Sequence, residues 1–208
     1  MKKILIIAPH PDDETFWMGG TIMKLKQRGY FIHLLILTLG EKSRHPKYNE
    51  EEMKIVRKKE AVLAANALRI DSYEFGYLED TRIGTDEAYE LIINAIRKER
   101  PQRIYSPCNP DTHQDHLSTY KATKLAAMHE NVEEVFIYDS SRLHASMNFY
   151  EDISDLLDEK IKVCKLYGSQ IMKDNLNVEA IKQKAIARGT EIGTGAAEAF
   201  KIVKFGDS

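Results

Sequence analysis

Cysteine is scarce in this chain, long apolar runs are missing, and neither sign of charge dominates. Among 208 residues there are two cysteines, Cys108 and Cys164. Two thiols so far apart make neither a disulfide framework nor a cysteine metal site, and their scarcity fits a reducing compartment. Lysine and arginine total 30 against 32 aspartates and glutamates, a net charge of −2. This balance argues against a nucleic-acid binder held through phosphates, which carries a basic excess. No stretch approaches the ~18 apolar residues of a membrane span. The apolar run Ile4–Ala8 follows two lysines, but His10, Asp12, Asp13 and Glu14 come at once after it. A signal-peptide core needs about 7–15 apolar residues, so none is expected. The expected location is the cytoplasm, with neither nucleic acid nor membrane as a partner. A hydrophobic fraction of 43% excludes a disordered or fibrous chain, and the length predicts a single domain over residues 1–208.

Strand-length apolar runs alternate with helical patterns through the first two thirds. Ile4–Ala8, Tyr30–Leu39, Arg103–Tyr105 and Val135–Tyr138 read as strands covered on both faces, with a weaker one at Asp71–Phe75. Between them, Met18, Ile22 and Leu25 form one helical stripe, with Gly29 as its C-terminal glycine. Ala88, Leu91, Ile92, Ala95 and Ile96 form a second stripe, and Leu117, Tyr120, Leu125 and Met128 a third. Such alternation predicts an α/β fold of Rossmann-like, doubly wound type with a mainly parallel sheet. The last sixty or so residues predict C-terminal helices around Ile153–Cys164 and Val178–Ala185, then a terminal strand at Ala197–Phe205. Gly40–Asn49 is polar and turn-rich, as in a surface loop.

Chemistry concentrates in Pro9-His10-Pro11-Asp12-Asp13-Glu14, directly after the first strand. Ligands of a doubly wound sheet bind at the carboxyl ends of strands, where this loop emerges. Three carboxylates and an imidazole in five residues repel an anion and invite a cation, and no phosphate-cradling glycine pattern replaces them. Helix capping explains one or two of the acids, but not a histidine held between prolines. A second feature is His113-Gln114-Asp115-His116, whose two histidines are three apart. Alone, that pair reads more readily as exposed or capping histidines than as ligands.

Together the two segments say more. If their strands are neighbours where the winding reverses, the loops converge. His10, Asp13 and one of the paired histidines then supply two imidazoles and a carboxylate, a set suited to zinc with one position left open for water. Asp12 remains as a general base, the other histidine can donate to an oxyanion, and Asp115 can orient an imidazole. The implied chemistry is metal-assisted hydrolysis of an acyl bond.

On these motifs the chain resembles the LmbE-like/PIG-L family of zinc-dependent N-acetylglucosaminyl deacetylases. Supporting matches are Gly19-Gly20, Arg57-x-x-Glu60, Gly76-Tyr77-Leu78-Glu79-Asp80, Gly168-Ser169-Gln170 and Gly195-Ala196-Ala197-Glu198-Ala199-Phe200. The later ones look most like the bacterial branch that includes bacillithiol-pathway deacetylases. The resemblance implies His10, Asp13 and His116 as zinc ligands (iron(II) fits the same set), Asp12 as base and His113 as the oxyanion donor. It places Arg57 and Asp80 at the substrate, a small-molecule sugar conjugate, and suggests a homo-oligomer. The chain departs from the pattern at Pro9 and Thr15. Asp111-Thr112 stands where some relatives carry an acid tyrosine, which leaves Asp12 or His113 to protonate the amine. Tyr167-Gly168 replaces a late histidine of some relatives.

Arg57 and Glu60 also admit a plainer reading as an exposed ion pair. Glu60, however, lines up with Val56, Leu63, Ala64 and Ala67, where a carboxylate needs a partner. Trp17 reads as core or pocket wall, Cys108 as a bystander, and His33, His45, His129 and His144 as non-ligands. The rival functions are an amidase of a related thiol or sugar conjugate, a non-catalytic metal-containing binding module, and a metal-dependent phosphoesterase.

Overall fold

The first apolar run becomes β1 (Lys3–Ala8), and Ile4 to Ala8 are all buried in it. The computed structural model describes residues 2–140, 146–171 and 177–204. Four further strands lie parallel within the same sheet: β2 (Phe31–Thr38), β3 (Ser72–Leu78), β4 (Arg103–Pro107) and β5 (Glu134–Tyr138). Two later strands, β6 (Phe149–Asp152) and β7 (Ala197–Lys204), extend it antiparallel. The order across the sheet is β3-β2-β1-β4-β5-β7-β6. The helices are α1 (Asp13–Gln27), α2 (Glu50–Ala67), α3 (Thr85–Glu99), α4 (Gln114–His129), α5 (Leu157–Cys164), α6 (Gly168–Ile171) and α7 (Val178–Glu191).

Strand alternation divides the core between two faces. Ile4, Ile6 and Ala8 point to the side of Met18, Ile22 and Leu25, whereas Leu5 and Ile7 meet Ile92, Ile96, Ala122 and Ala126. Both faces are thus covered, as a parallel sheet requires, and the doubly wound expectation holds. The winding reverses between β1 and β4, which are hydrogen-bonded neighbours. The chain leaving each of them at its carboxyl end opens into one crevice.

Several details differ from the sequence reading. In α4 the buried face is Thr119, Ala122, Thr123, Ala126 and Ala127, while Leu125 and Met128 are exposed. Small side chains let α4 lie close against its neighbours, so size outranked hydropathy in choosing the face. In α2 the buried residues are Met53, Arg57, Ala61, Ala64 and Ala65, and Leu63 faces out. The short β6 carried no apolar run long enough to be noticed. The helix expected from Ile153 starts at Leu157, with Ile153 buried in the turn before it. The terminal strand is described to Lys204, and Phe205 lies outside the described residues.

One glycine of the Gly19-Gly20 pair is needed for contact. A Cβ on Gly20 would lie 2.7 Å from Cγ2 of Ile153, so α1 can approach that turn only without a side chain there. Gly20→Ala is expected to destabilise the fold by about 1–3 kcal/mol, the usual cost of overpacking. Urea unfolding should show this as a lower midpoint at unchanged slope.

Candidate active site

The loop after β1 is pinned before it reaches its acids. The Pro9 carbonyl accepts from both the backbone N–H and the hydroxyl of Thr38 on β2, at 3.0 and 2.9 Å. Asp12 then takes φ = 127°, a backbone state that side-chain-bearing residues rarely adopt. Its carboxylate makes no capping bond to α1. Capping therefore does not explain it. The Glu14 carboxylate, wholly buried, faces backwards instead: it takes the Tyr167 hydroxyl at 2.6 Å and the Thr15 hydroxyl at 2.7 Å.

Asp13 is the meeting point. Its Oδ2 accepts the His10 backbone N–H at 3.1 Å and lies 3.4 Å from His10 Nδ1 and 3.3 Å from His116 Nε2. Each imidazole is held from behind by other carboxylates. His10 Nε2 is 3.1 Å from Asp115 and 3.2 Å from Asp80, and His116 Nδ1 is 2.9 Å from Asp111. Asp115 is itself fixed by the N–H groups of Thr81 and Ile83, and Asp80 by that of Lys42. The His10 ring also lies 4.7 Å from that of His113, centroid to centroid. Nitrogens of His10, His113 and His116 all fall within 4.8 Å of one another. A second cluster, His10 with Asp80 and Asp115, meets the same distance.

Charge in this crevice is tightly arranged. Burial alone would lower the pKa of His116, but Asp13 and Asp111 outweigh it and raise it to about 9. His10 behaves likewise: burial opposes protonation, and Asp115, Asp13 and Asp80 overcome it. His113 goes the other way, lowered by burial and then by repulsion from His10 and His116. Its Nδ1 accepts the Asp115 backbone N–H at 3.3 Å, so the neutral ring carries its proton on Nε2 and can donate it. Burial raises Asp12 above the ordinary carboxylate range, with Arg57 opposing.

Arg57 is buried, and both terminal nitrogens of its fork donate within the protein. Nη2 donates to Asp12 Oδ2 at 2.9 Å and the Pro11 carbonyl at 2.6 Å, and Nη1 to the Gly40 carbonyl at 2.9 Å. Gly40 has φ = 64°, and a Cβ there would lie 1.9 Å from Nη1. Thus Arg57 grips the base loop and Asp80 grips His10, although both also line the open cavity of about 340 Å³ above the site.

Three further residues went unremarked in the sequence or without a role. Asp111 carries the partner for His116 and also accepts from Ser140 Oγ at 3.0 Å. Glu60 holds Ser169 through its N–H at 2.8 Å and hydroxyl at 2.6 Å; Gln170 next to it lines the cavity and accepts from Ser43. Glu60 is half-buried and the stripe expected to bury it partly faces out, with Leu63 and Ala67 exposed; its position in the sequence signalled the need for a partner, but not which one. Trp17 also lines the cavity and donates its indole N–H to Asp13 Oδ1 at 3.2 Å. His33, His45 and His129 bond or stack elsewhere, on Ser72, Tyr48 and Tyr89 respectively. His144 lies outside the described residues. Cys108 is buried beside Ser140.

Residues 5–127 match the family described as PIG-L: GlcNAc-PI de-N-acetylase. The chain belongs to this family. Among its relatives, diacetylchitobiose deacetylase of Thermococcus kodakarensis is 29% identical over 200 residues, covering 84% of this chain and 72% of that one. A probable N-acetyl-alpha-D-glucosaminyl L-malate deacetylase 2 of Bacillus anthracis is 32% identical over 145 residues, or 65% of this chain and 64% of its own. The solved N,N'-diacetylchitobiose deacetylase from Pyrococcus horikoshii superposes with a TM-score of 0.83 at 25% identity, covering 97% of this chain and 84% of that one. Among the described residues, no helix is long and apolar enough to cross a membrane.

Proposed function

We propose that this chain is a metal-dependent N-deacetylase that hydrolyses the acetamide of an N-acetylglucosamine unit in a small sugar conjugate. The observation that carries the reading is the convergence on Asp13 Oδ2: one nitrogen from each of two imidazoles faces it, and each imidazole is backed by a carboxylate. Two imidazoles, which would give up their protons to a bound cation, and a carboxylate, each oriented from behind, form a donor set that suits zinc or iron(II). We assign His10, Asp13 and His116 as the ligands. The rival set of His10 with Asp80 and Asp115 is less suited, because those carboxylates already hold the N–H groups of Thr81, Ile83 and Lys42. A divalent cation bound there would polarise the amide carbonyl and bring the pKa of water down toward about 7.

The remaining steps belong to the chain. Asp12 takes the proton of the attacking water, held in place by Arg57. His113, whose free Nε2 carries a proton, donates to the amide oxygen as charge develops on it. The proton taken by Asp12 is then available to the departing amine. Asp115 and Asp111 keep His10 and His116 oriented. Relatives named as a diacetylchitobiose deacetylase and a probable N-acetyl-alpha-D-glucosaminyl L-malate deacetylase support the substrate class. The test is release of acetate from diacetylchitobiose and from N-acetylglucosaminyl malate by the zinc-loaded protein, with a chelated sample as control. Chelator-sensitive acetate release from at least one is expected. Cleavage of a larger acyl conjugate without acetate would make it an amidase instead, and silence toward both classes would leave the deacetylase reading without support.

A further inference from the structure

We propose that Trp17 is a positioning residue for Asp13 and that its indole N–H sets how tightly the site holds its cation. The proposal rests on the metal-dependent reading above. Asp13 divides its two oxygens cleanly. Oδ2 faces the ring nitrogens of His10 and His116, while Oδ1 accepts from Trp17 Nε1 at 3.2 Å. Without a partner for Oδ1, the carboxylate is free to turn about its terminal torsion and exchange the two oxygens, since that torsion is broad. The indole removes that freedom.

The local backbone explains why a tryptophan at this place can do so. Trp17 lies four residues after Asp13, one helical turn on, and side chains of a helix lean back toward its N-terminus. Immediately after it, Met18 leaves helical geometry (φ −144°, ψ 20°). The first turn of α1 is thereby a separate short unit, with the indole folded back over its start. The ring is met by α7, which packs against the same core cluster as α1. Lys184 Nζ sits 4.7 Å from the ring centroid and is held by the Asp139 carbonyl at 2.7 Å and its carboxylate at 3.1 Å. A cation over the ring face draws electron density from the indole, which strengthens its N–H as a donor. Packing alone would be served as well by phenylalanine; only the N–H reaches Asp13.

Trp17→Phe keeps the ring and deletes the donor. Its zinc dissociation constant, measured by competition with a chromophoric chelator, is expected to rise about 10–100-fold, the usual effect of losing a group that orients a ligand. Unfolding of the metal-free variant should stay close to that of wild type. Equal zinc affinity in the two proteins overturns the proposal while leaving the metal reading intact; a wild-type protein that binds no zinc overturns both. Because the chain has one tryptophan, the wild-type protein supplies a readout that does not depend on the variant folding. Its single indole N–H resonance should be protected from solvent exchange and should shift on zinc addition. An indole proton that exchanges freely and ignores zinc contradicts the assignment.

Discussion

Asp12→Asn is expected to lower kcat by about 10²–10⁴-fold, the range for loss of a positioned general base, while leaving zinc bound. Asparagine has nearly the shape of aspartate and keeps an oxygen for Arg57, whose other donors stay on the Pro11 and Gly40 carbonyls. The loop should therefore persist, and what is lost is the ability to accept a proton. Because this group acts on the water and not on the bound sugar, KM should change far less than kcat. The carboxylates that could replace it are engaged: Asp80 and Asp115 on His10, Asp111 on His116. A variant that retains full turnover with zinc bound would mean that the base has been assigned to the wrong side chain.

The convergence of the two loops was legible in the sequence because it depends on few things. A buried apolar run, an acid-rich loop and a second histidine loop after another such run are enough to place both loops at a switch point once the strand order is the common one. The observed neighbours β1 and β4 bring His10, Asp12 and Asp13 to His113 and His116, as expected. The partners of these residues were not legible, because hydrogen bonding between distant segments leaves no periodic trace. Arg57 and Asp80 illustrate it. The resemblance implied contacts with substrate for both; both line the cavity, yet they also make contacts within the protein, Arg57 with Asp12 and Asp80 with His10. Asp111 was noticed only as the place where a tyrosine is missing, and its bond to His116 gives it a role of its own. The buried faces of α1 and α3 matched the apolar stripes, whereas that of α4 did not, for a related reason: its alanines and threonines face the core because the space is small, and no hydropathy pattern reports available space.

The late Glu198-Ala199-Phe200 motif and Gly19-Gly20 match one another across the fold, and Lys160→Met tests why. Glu198, on β7, accepts the N–H groups of Gly20 and Thr21 at 3.0 and 2.6 Å, just past the break at Met18. It thus caps the second part of α1 from another element, which a break in mid-helix requires if freed N–H groups are buried. Lys160 of α5 supplies the countercharge at 2.7 Å, and both side chains are almost wholly buried. Methionine at 160 retains the volume but strands a carboxylate in the core with only two amides beside it. The expected loss is about 3 kcal/mol, at the lower end for breaking a buried pair, read from urea unfolding. Adding Glu198→Gln should recover a substantial part of that loss, since a neutral amide can still accept from Gly20 and Thr21; such non-additivity is the mark of a direct pair. The first turn of α1, which carries Asp13 and Trp17, lies on the other side of the Met18 break, so zinc affinity should hold in the variant even as the fold weakens. A Lys160→Met protein as stable as wild type would show that Glu198 needs no countercharge, and that the amides of α1 alone keep it in place.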